Sequence, residues 1–163
     1  MKMIRVTHPH YIRRVVSLAQ FIWSEHYTSI IGRHQVQFML KKFQSYKAIK
    51  MQIQKGSEYF LLKESDKFVG YLCFEYRAKS LFLSKLYIHP NYRGRELAKK
   101  ALEHIERIAL KKRAKKIYLT VNIHNHLALK SYEKLGFSYA GHVVAKIGNG
   151  FIMDDFKMNK QIC

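Results

Sequence analysis

Leu83-Ser84-Lys85-Leu86-Tyr87-Ile88-His89-Pro90-Asn91-Tyr92-Arg93-Gly94-Arg95-Glu96-Leu97-Ala98 is the stretch on which the fold turns. Its first half is an apolar run suited to a buried strand, and Pro90 stops it because proline cannot donate to a ladder. A short turn rich in Arg and Gly follows, and a helical pattern begins at once. The first N–H groups of a helix have no intrahelical partner, and the helix dipole favours negative charge there. Arg93 and Arg95 add two fixed positive charges. A strand that ends in a basic turn at a helix N-terminus is an anion site, and its extent suits a phosphorylated ligand.

Downstream, Leu97 to Lys112 reads as a helix with Leu97, Ala98, Ala101, Leu102, Ile105, Ile108 and Ala109 in one apolar stripe. Ile117 to Ile123 is a strand. Next comes Asn125-His126-Leu127-Ala128-Leu129-Lys130-Ser131-Tyr132-Glu133-Lys134-Leu135-Gly136-Phe137, a helix from Leu127 to Leu135 ended by Gly136. Asn125, Ala128 and Tyr132 fall at i, i+3 and i+7, on one helical face. Phe137 to Ile147 and Phe151 to Met158 form a hairpin around Gly148-Asn149-Gly150.

Upstream, Met1 to Val6 reads as a first strand. Tyr59 to Glu64 and Phe68 to Arg77 are strands joined by Ser65-Asp66-Lys67, and Leu81 to Ile88 is the next strand. Helices are expected over His10 to Gln20 and Gln35 to Gln52. Between them, Phe21 to Gly32 is expected to be an aromatic loop, and it holds Trp23. No repeat, low-complexity segment or linker divides the chain, so residues 1–163 read as one domain.

The two quoted stretches resemble motif A and motif B of the GNAT superfamily, the acyl-CoA-dependent N-acyltransferases. Motif A falls on Arg93, Glu96 and Ala98, and motif B on Asn125, Ala128, Tyr132 and Gly136-Phe137. The resemblance covers residues 59 to 158 well and the first third loosely. It implies an α/β (mixed α+β) fold: a central, twisted mixed sheet, splayed between two strands to hold the cofactor, with flanking helices. It also implies acetyl-CoA as co-substrate. Leu86, Tyr87 and Ile88 would lie along the pantetheine and thioester. Arg93, Gly94, Arg95, Glu96, Leu97, Ala98 and Lys99 would wrap the pyrophosphate. Asn125 would bond the pantetheine arm, Ala128 would leave room for it, and Tyr132 would be the general acid for the departing thiolate.

The chain departs from motif A at Glu96, where the family has Gly. A carboxylate beside a pyrophosphate costs Coulomb energy, so its side chain is expected to point outward or to pair with Arg93, Arg95 or Lys100. The general base stays open among Glu25, Glu75, Tyr87 acting through water, Asp154 and Asp155. Glu25 and Tyr87 join Tyr132 as the catalytic candidates.

Composition narrows the rest. Apolar residues make up 48% and aromatics 13%, which is a globular composition. No apolar run approaches the ~20 residues of a membrane span, and the first residues lack a signal-peptide core. Two cysteines, Cys73 and Cys163, do not make a disulfide framework, which points to the cytoplasm. The pairs His8/His10 and His124/His126 have no third ligand nearby in sequence, so no metal is expected. No serine stands in a nucleophile elbow.

The net charge of +19 exceeds what an acetyl-CoA site needs. It reads either as a solvated basic surface or as a match for an acidic partner such as RNA, the ribosome or an anionic membrane surface. The acceptor is expected to be a primary amine, of a small amine or polyamine or of a protein N-terminus or Lys, with an aminoglycoside as a third candidate. Trp23, Glu25 and Tyr27 are expected to box a cationic acceptor, although +19 repels polycations at long range. The other class of reading is a non-catalytic module that holds CoA or an acidic macromolecule such as RNA. A homodimer is the further expectation that the resemblance brings.

Overall fold

Alternating apolar and polar residues build the strands, and stripes repeating every three to four residues build the helices. A computed structural model describes residues 1–162. The order is β1 (Lys2–Arg5), α1 (Pro9–Ile31), α2 (Arg33–Phe43), α3 (Tyr46–Gln54), β2 (Glu58–Glu64), β3 (Lys67–Arg77) and β4 (Ser80–Ile88). A 3-10 turn at Pro90–Tyr92 follows. Then come α4 (Leu97–Lys111), β5 (Lys116–Asn122), α5 (His126–Lys134), β6 (Ser138–Gly148) and β7 (Phe151–Gln161). The strands run in the order β1-β2-β3-β4-β5-β7-β6, a mixed α/β architecture whose sheet is mostly antiparallel. Cys163 lies outside the described residues. Among those residues no helix is long and apolar enough to cross a membrane.

The chain groups into two compact units. The first holds Met1–Glu75 and Lys85–Glu103. In it β1 and β2 pair antiparallel, with Lys2 opposite Lys63 and Arg5 opposite Phe60. β2 pairs antiparallel with β3, with a bulge at Leu62/Lys63. Val15, Ala19, Ile22, Ile49, Leu61 and Leu72 are fully buried there.

Two sequence expectations change in this unit. The stretch Phe21 to Gly32 is not a loop: α1 runs through it for 23 residues. The buried positions Ile12, Val15, Ala19, Ile22 and Trp23 continue one apolar stripe, and the aromatic residues extend it. The helix stops only where Gly32 takes φ 84°, a left-handed value that glycine adopts without strain. The stretch Gln35 to Gln52 is two helices. Ser45 caps α3 by accepting from Ala48 N–H at 3.2 Å.

Gln44, just before that cap, is buried. It accepts from Tyr71 Oη at 2.6 Å and donates through Nε2 to Tyr59 Oη at 3.1 Å. Tyr59 donates in turn to Gln52 Oε1, and Gln52 Nε2 donates to Phe43 O at 2.8 Å. The break is therefore held by a buried polar network that periodicity alone does not reveal.

The second unit holds Tyr76–Ser84 and the chain from His104 onward. Ser80–Phe82 of β4 pairs parallel with Lys116–Tyr118 of β5. β5 pairs antiparallel with β7, from Lys116↔Gln161 to Asn122↔Asp155, and β7 pairs with β6 in the expected hairpin. Ile105, Ala109, Ile117, Leu119 and Met158 form its core. Lys160 pairs with Glu106 between β7 and α4.

Candidate active site

In the first unit, the end of β4 is fixed by its neighbour β3. His89 N–H donates to Val69 O at 2.8 Å. Gly70 lies so close to the Tyr87 carbonyl that a Cβ built on it would sit 2.3 Å from that oxygen. His89 caps the 3-10 turn by accepting at Nδ1 from Asn91 N–H at 3.2 Å. Arg93 braces the turn: its Nε donates to Ile88 O at 3.1 Å, and its guanidinium pairs with Glu25 of α1 at 3.2 Å. One turn earlier on α1, Phe21 stacks on His89 with centroids 4.8 Å apart. Phe21 and Glu25, four residues apart, thus hold one side of the turn.

Gly94 takes φ 77° with nothing within 4 Å of where a Cβ would be. Glu96 takes φ 58°, an uncommon left-handed value for a residue with a side chain. This conformation explains why glycine suits the position: Glu96 performs a glycine's turn at the cost of strain. Its side chain is 71% exposed and lies 3.9 Å from Lys99. It points to solvent as expected, with Lys99 beside it and not Arg93, Arg95 or Lys100. Lys100 N–H donates to Glu96 O at 3.0 Å and begins the α4 ladder. The N–H groups of Leu97, Ala98 and Lys99 precede that first bond. The first turn of α4 holds no acid. Backbone N–H groups, a dipole end and flanking Arg95 and Lys99 make a donor set that fits a pyrophosphate.

The other face of α1 meets β4 differently. Trp23 packs against Tyr27 and Tyr87 with centroids 5.8 and 5.6 Å apart, and Tyr71 lies 5.5 Å from Tyr87. The Tyr27 and Tyr87 hydroxyls are 3.0 Å apart. Trp23 and Tyr27 share a cluster as expected, but Glu25 is engaged with Arg93 on a different side of α1. The cluster gains Tyr71 and Tyr87, which sequence reading did not group with Trp23. Two residues before Tyr87 on β4, Lys85 is half-buried with Nζ 5.6 Å from the Tyr59 ring centroid. Burial pushes its ammonium down from the usual lysine range, and Cys73 and Glu75 pull it back up. The period-two rule applied backward from Tyr87 would have found Lys85.

In the second unit, α5 starts at His126 with Asn125 as its N-cap. Asn125 is buried and accepts at Oδ1 from Ala128 N–H at 3.4 Å. Its carbonyl accepts from Leu129 N–H at 3.1 Å. Asn125 thus closes the helix end, and its side-chain NH₂ keeps two donors. Tyr132 is half-buried on α5, with its ring edge-on to Phe137 at 5.4 Å.

On the hairpin, His142 bonds Asp154, and Asp155 beside it is buried. Burial pushes the Asp155 carboxyl up to about 6; the Asp154 charge adds to the shift and His142 opposes it. His124 and His126 stand 6.4 Å apart. Among the described residues no three or more His, Cys, Asp or Glu side chains gather to hold a metal.

The family model for the acetyltransferase (GNAT) family matches residues 17–137. The chain belongs to the GNAT acetyltransferase family. Solved structures of similar fold agree. PaiA N-acetyltransferase from Thermoplasma acidophilum, in complex with coenzyme A, superposes with a TM-score of 0.79 at 19% identity, covering 99% of each chain. A spermidine N-acetyltransferase SpeG chimera from Vibrio cholerae gives 0.73 at 17%, covering 99% of this chain and 95% of its own. The ribosomal-protein alanine N-acetyltransferase of Escherichia coli gives 0.73 at 17%, covering 99% and 93%. No curated protein matches the sequence as a relative. In this GNAT chain, the Arg93–Ala98 turn and the Asn125–Tyr132 helix carry the motif positions, one in each unit.

Proposed function

We propose that this GNAT protein transfers the acetyl group of acetyl-CoA to a primary amine. The observation that carries the proposal is the β4–turn–α4 junction: bare helix N–H groups, an open Gly94 and no acid in the first turn of α4. Acetyl-CoA supplies an activated thioester carbonyl. The chain's residues do the rest. Main-chain groups of Leu86 to Ile88 orient the pantetheine, because backbone dipoles are rigid and already aimed. The turn from Arg93 to Lys99 holds the pyrophosphate through backbone N–H groups, with Arg95 and Lys99 as added charge. Arg93 contributes by fixing the turn, since Ile88 O and Glu25 occupy its side chain.

Asn125 donates from its free amide NH₂ to the pantetheine arm, Ala128 leaves room, and Tyr132 donates its hydroxyl hydrogen toward the leaving sulfur. With reference pKa values of about 10 for Tyr and about 8.5 for a thiol, full transfer is slightly uphill. Hydrogen bonding therefore carries part of the effect. The acceptor's proton leaves by way of Tyr87 acting through water: its hydroxyl, hydrogen-bonded to Tyr27, takes up the proton as it hands its own hydrogen on to solvent. Glu25, held by Arg93, serves better as a brace than as the base. The acceptor is an amine of a small molecule or polyamine, or of a protein; neighbours of the same fold include enzymes named for spermidine and for a ribosomal protein. The same reading puts the reaction in the cytoplasm.

Glu96 favours a second reading, a GNAT fold that holds CoA without turnover, because a charged residue with a strained left-handed backbone stands where the family has glycine. Calorimetric titration with acetyl-CoA, against dephospho-CoA and inorganic polyphosphate, tests the donor site. CoA release over a panel of amines tests turnover. Selective acetyl-CoA binding with amine-dependent release supports the transferase. Selective binding with no release supports the module, and binding no better than polyphosphate removes both.

A further inference from the structure

In the first unit, a row of aromatic rings leads along β4 to a lysine. Trp23 and Tyr27 of α1 meet Tyr87, with centroids 5.6 and 6.1 Å from its ring. Tyr87 lies 5.5 Å from Tyr71, and Tyr71 stacks on Tyr59 at 6.5 Å. The row ends at Lys85, whose Nζ is 5.6 Å from the Tyr59 ring centroid. Trp23, Tyr71 and Tyr59 are buried, whereas Tyr27, Tyr87 and Lys85 stay partly exposed. Gln44 ties the hydroxyls of Tyr59 and Tyr71 together, so the buried rings make a stiff backing. The partly exposed front has a pair of hydroxyls at one end and an ammonium at the other.

A lysine in this place calls for a counter-charge. Burial disfavours its charged form, and a carboxylate would restore it. Among the described residues no carboxylate lies within 4 Å of Lys85 Nζ. Glu75 acts on it from farther off. Glu25, the one carboxylate of α1, is held by Arg93 at 3.2 Å. A second ammonium, as in a polyamine, would find no carboxylate along the row and would be repelled by Lys85. A compact anion would find an ammonium with three donors in partly desolvated surroundings, where a charge-assisted hydrogen bond is strong. Strands rise about 3.3 Å per residue, so Lys85 and Tyr87 stand about 7 Å apart along β4. One small molecule can span that length.

We infer that Lys85 is a specificity residue that receives an anionic group of the acceptor, so that the amine acetylated here belongs to a small molecule carrying a carboxylate or a phosphate. The inference rests on the protein being an amine acetyltransferase whose acceptor meets Tyr87, and it narrows the acceptor away from polyamines.

Trp23 is the only tryptophan of the chain and reports from inside the row. Its fluorescence is followed, without acetyl-CoA, while amines of matched chain length are added: ω-aminocarboxylates, aminoalkyl phosphates, n-alkylamines and α,ω-diamines. The tighter-binding of the two anion-bearing series is expected to exceed the alkylamines in affinity by at least about tenfold, with the diamines weakest. That series names the anion. Lys85→Met should abolish the preference, Lys85→Arg should keep most of it, and Lys85→Glu should turn it toward the diamines. Tm of each variant checks folding.

CoA release from acetyl-CoA over the same amines separates this inference from the one beneath it. Anion-selective binding that disappears in Lys85→Met, with no CoA release, would uphold the anion site and remove the transferase. CoA release that favours alkylamines or diamines, or that Lys85→Met leaves unmoved, would overturn the role of Lys85 and keep the transferase. A Trp23 signal that does not respond, or responds to all four series alike, would overturn it as well.

Discussion

Glu96 shows how one residue can satisfy a backbone requirement without the side chain that normally meets it. A left-handed backbone costs a residue with a Cβ about 1–3 kcal/mol where the surroundings impose it. Replacing Glu96 with Gly removes that cost but frees the unfolded chain, which offsets about 0.4–1 kcal/mol. Glu96→Gly should therefore leave Tm unchanged or raise it. Acetyl-CoA affinity should move by less than about threefold, as expected for an exposed charge. A tenfold gain in affinity would mean that the carboxylate faces the ligand.

Tyr132→Phe should lower kcat by about ten- to a thousand-fold with little loss of acetyl-CoA affinity. A variant with normal turnover would take Tyr132 out of the mechanism. Asp155 makes a pH statement. Its carboxyl is raised from 3.8 to about 6 in the folded state, so folding favours the protonated form. The stabilising contribution is complete below about pH 4 and is lost as pH rises through 6. Relative to Asp155→Asn, the protein should thus become progressively less stable between about pH 4 and 7, read as a widening gap in Tm. A gap that narrows would reverse the assignment.

At the scale of elements, Asn125 separates two roles on one residue. As the N-cap of α5, its loss in Asn125→Ala should cost about 1 kcal/mol, a Tm fall of about 2–4 °C for a chain of this size. Asn125→Ser keeps a capping oxygen and loses the amide donors, so Tm should hold while acetyl-CoA affinity falls. If affinity survives in the Ser variant, the cap is the whole role of Asn125.

The strands and α4 were legible in the sequence because their patterns are local: alternation, a clean stripe and proline or glycine at the ends. The first third misled for a physical reason. In α1 the aromatic residues from Phe21 to Tyr27 look like a loop by composition, yet they keep helical spacing and end only at Gly32. The break between α2 and α3 depends on Gln44 meeting Tyr59 and Tyr71, which lie 15 and 27 residues away. Of the site, the Arg93–Ala98 turn and the Asn125–Tyr132 spacing were readable as motifs. The Glu25–Arg93 pair was not, because its partners are 68 residues apart and neither position implies the other.

At the scale of the whole molecule, charge is the property that a transfer reaction leaves unexplained. The +19 is uneven along the chain: residues 26–57 are basic without relief, while residues 135–153 carry a single lysine, Lys146, and no acid. That second stretch contains β6, an edge strand exposed along nearly its whole length, with Val143 and Val144 at 42% and 58%. A long open edge is where another chain can add a strand. Between two copies it is also a stretch where repulsion is low. If copies associate there, Val144→Lys should shift sedimentation toward the monomer while acetyl-CoA binding stays unchanged. An unaltered profile would acquit that edge.

Gly70 sets a limit on how this sequence can drift. Every codon one nucleotide away that changes its amino acid introduces a Cβ, and any Cβ there collides with the carbonyl of Tyr87. No gradual path leads through a slightly larger residue. In a scan of all replacements, Gly70 should stand out as intolerant even to Ala, while a surface position such as Gln37 accepts most. The lineage of this protein can rewrite its helices and its charge, but a change at Gly70 requires a simultaneous change in the strand that carries Tyr87.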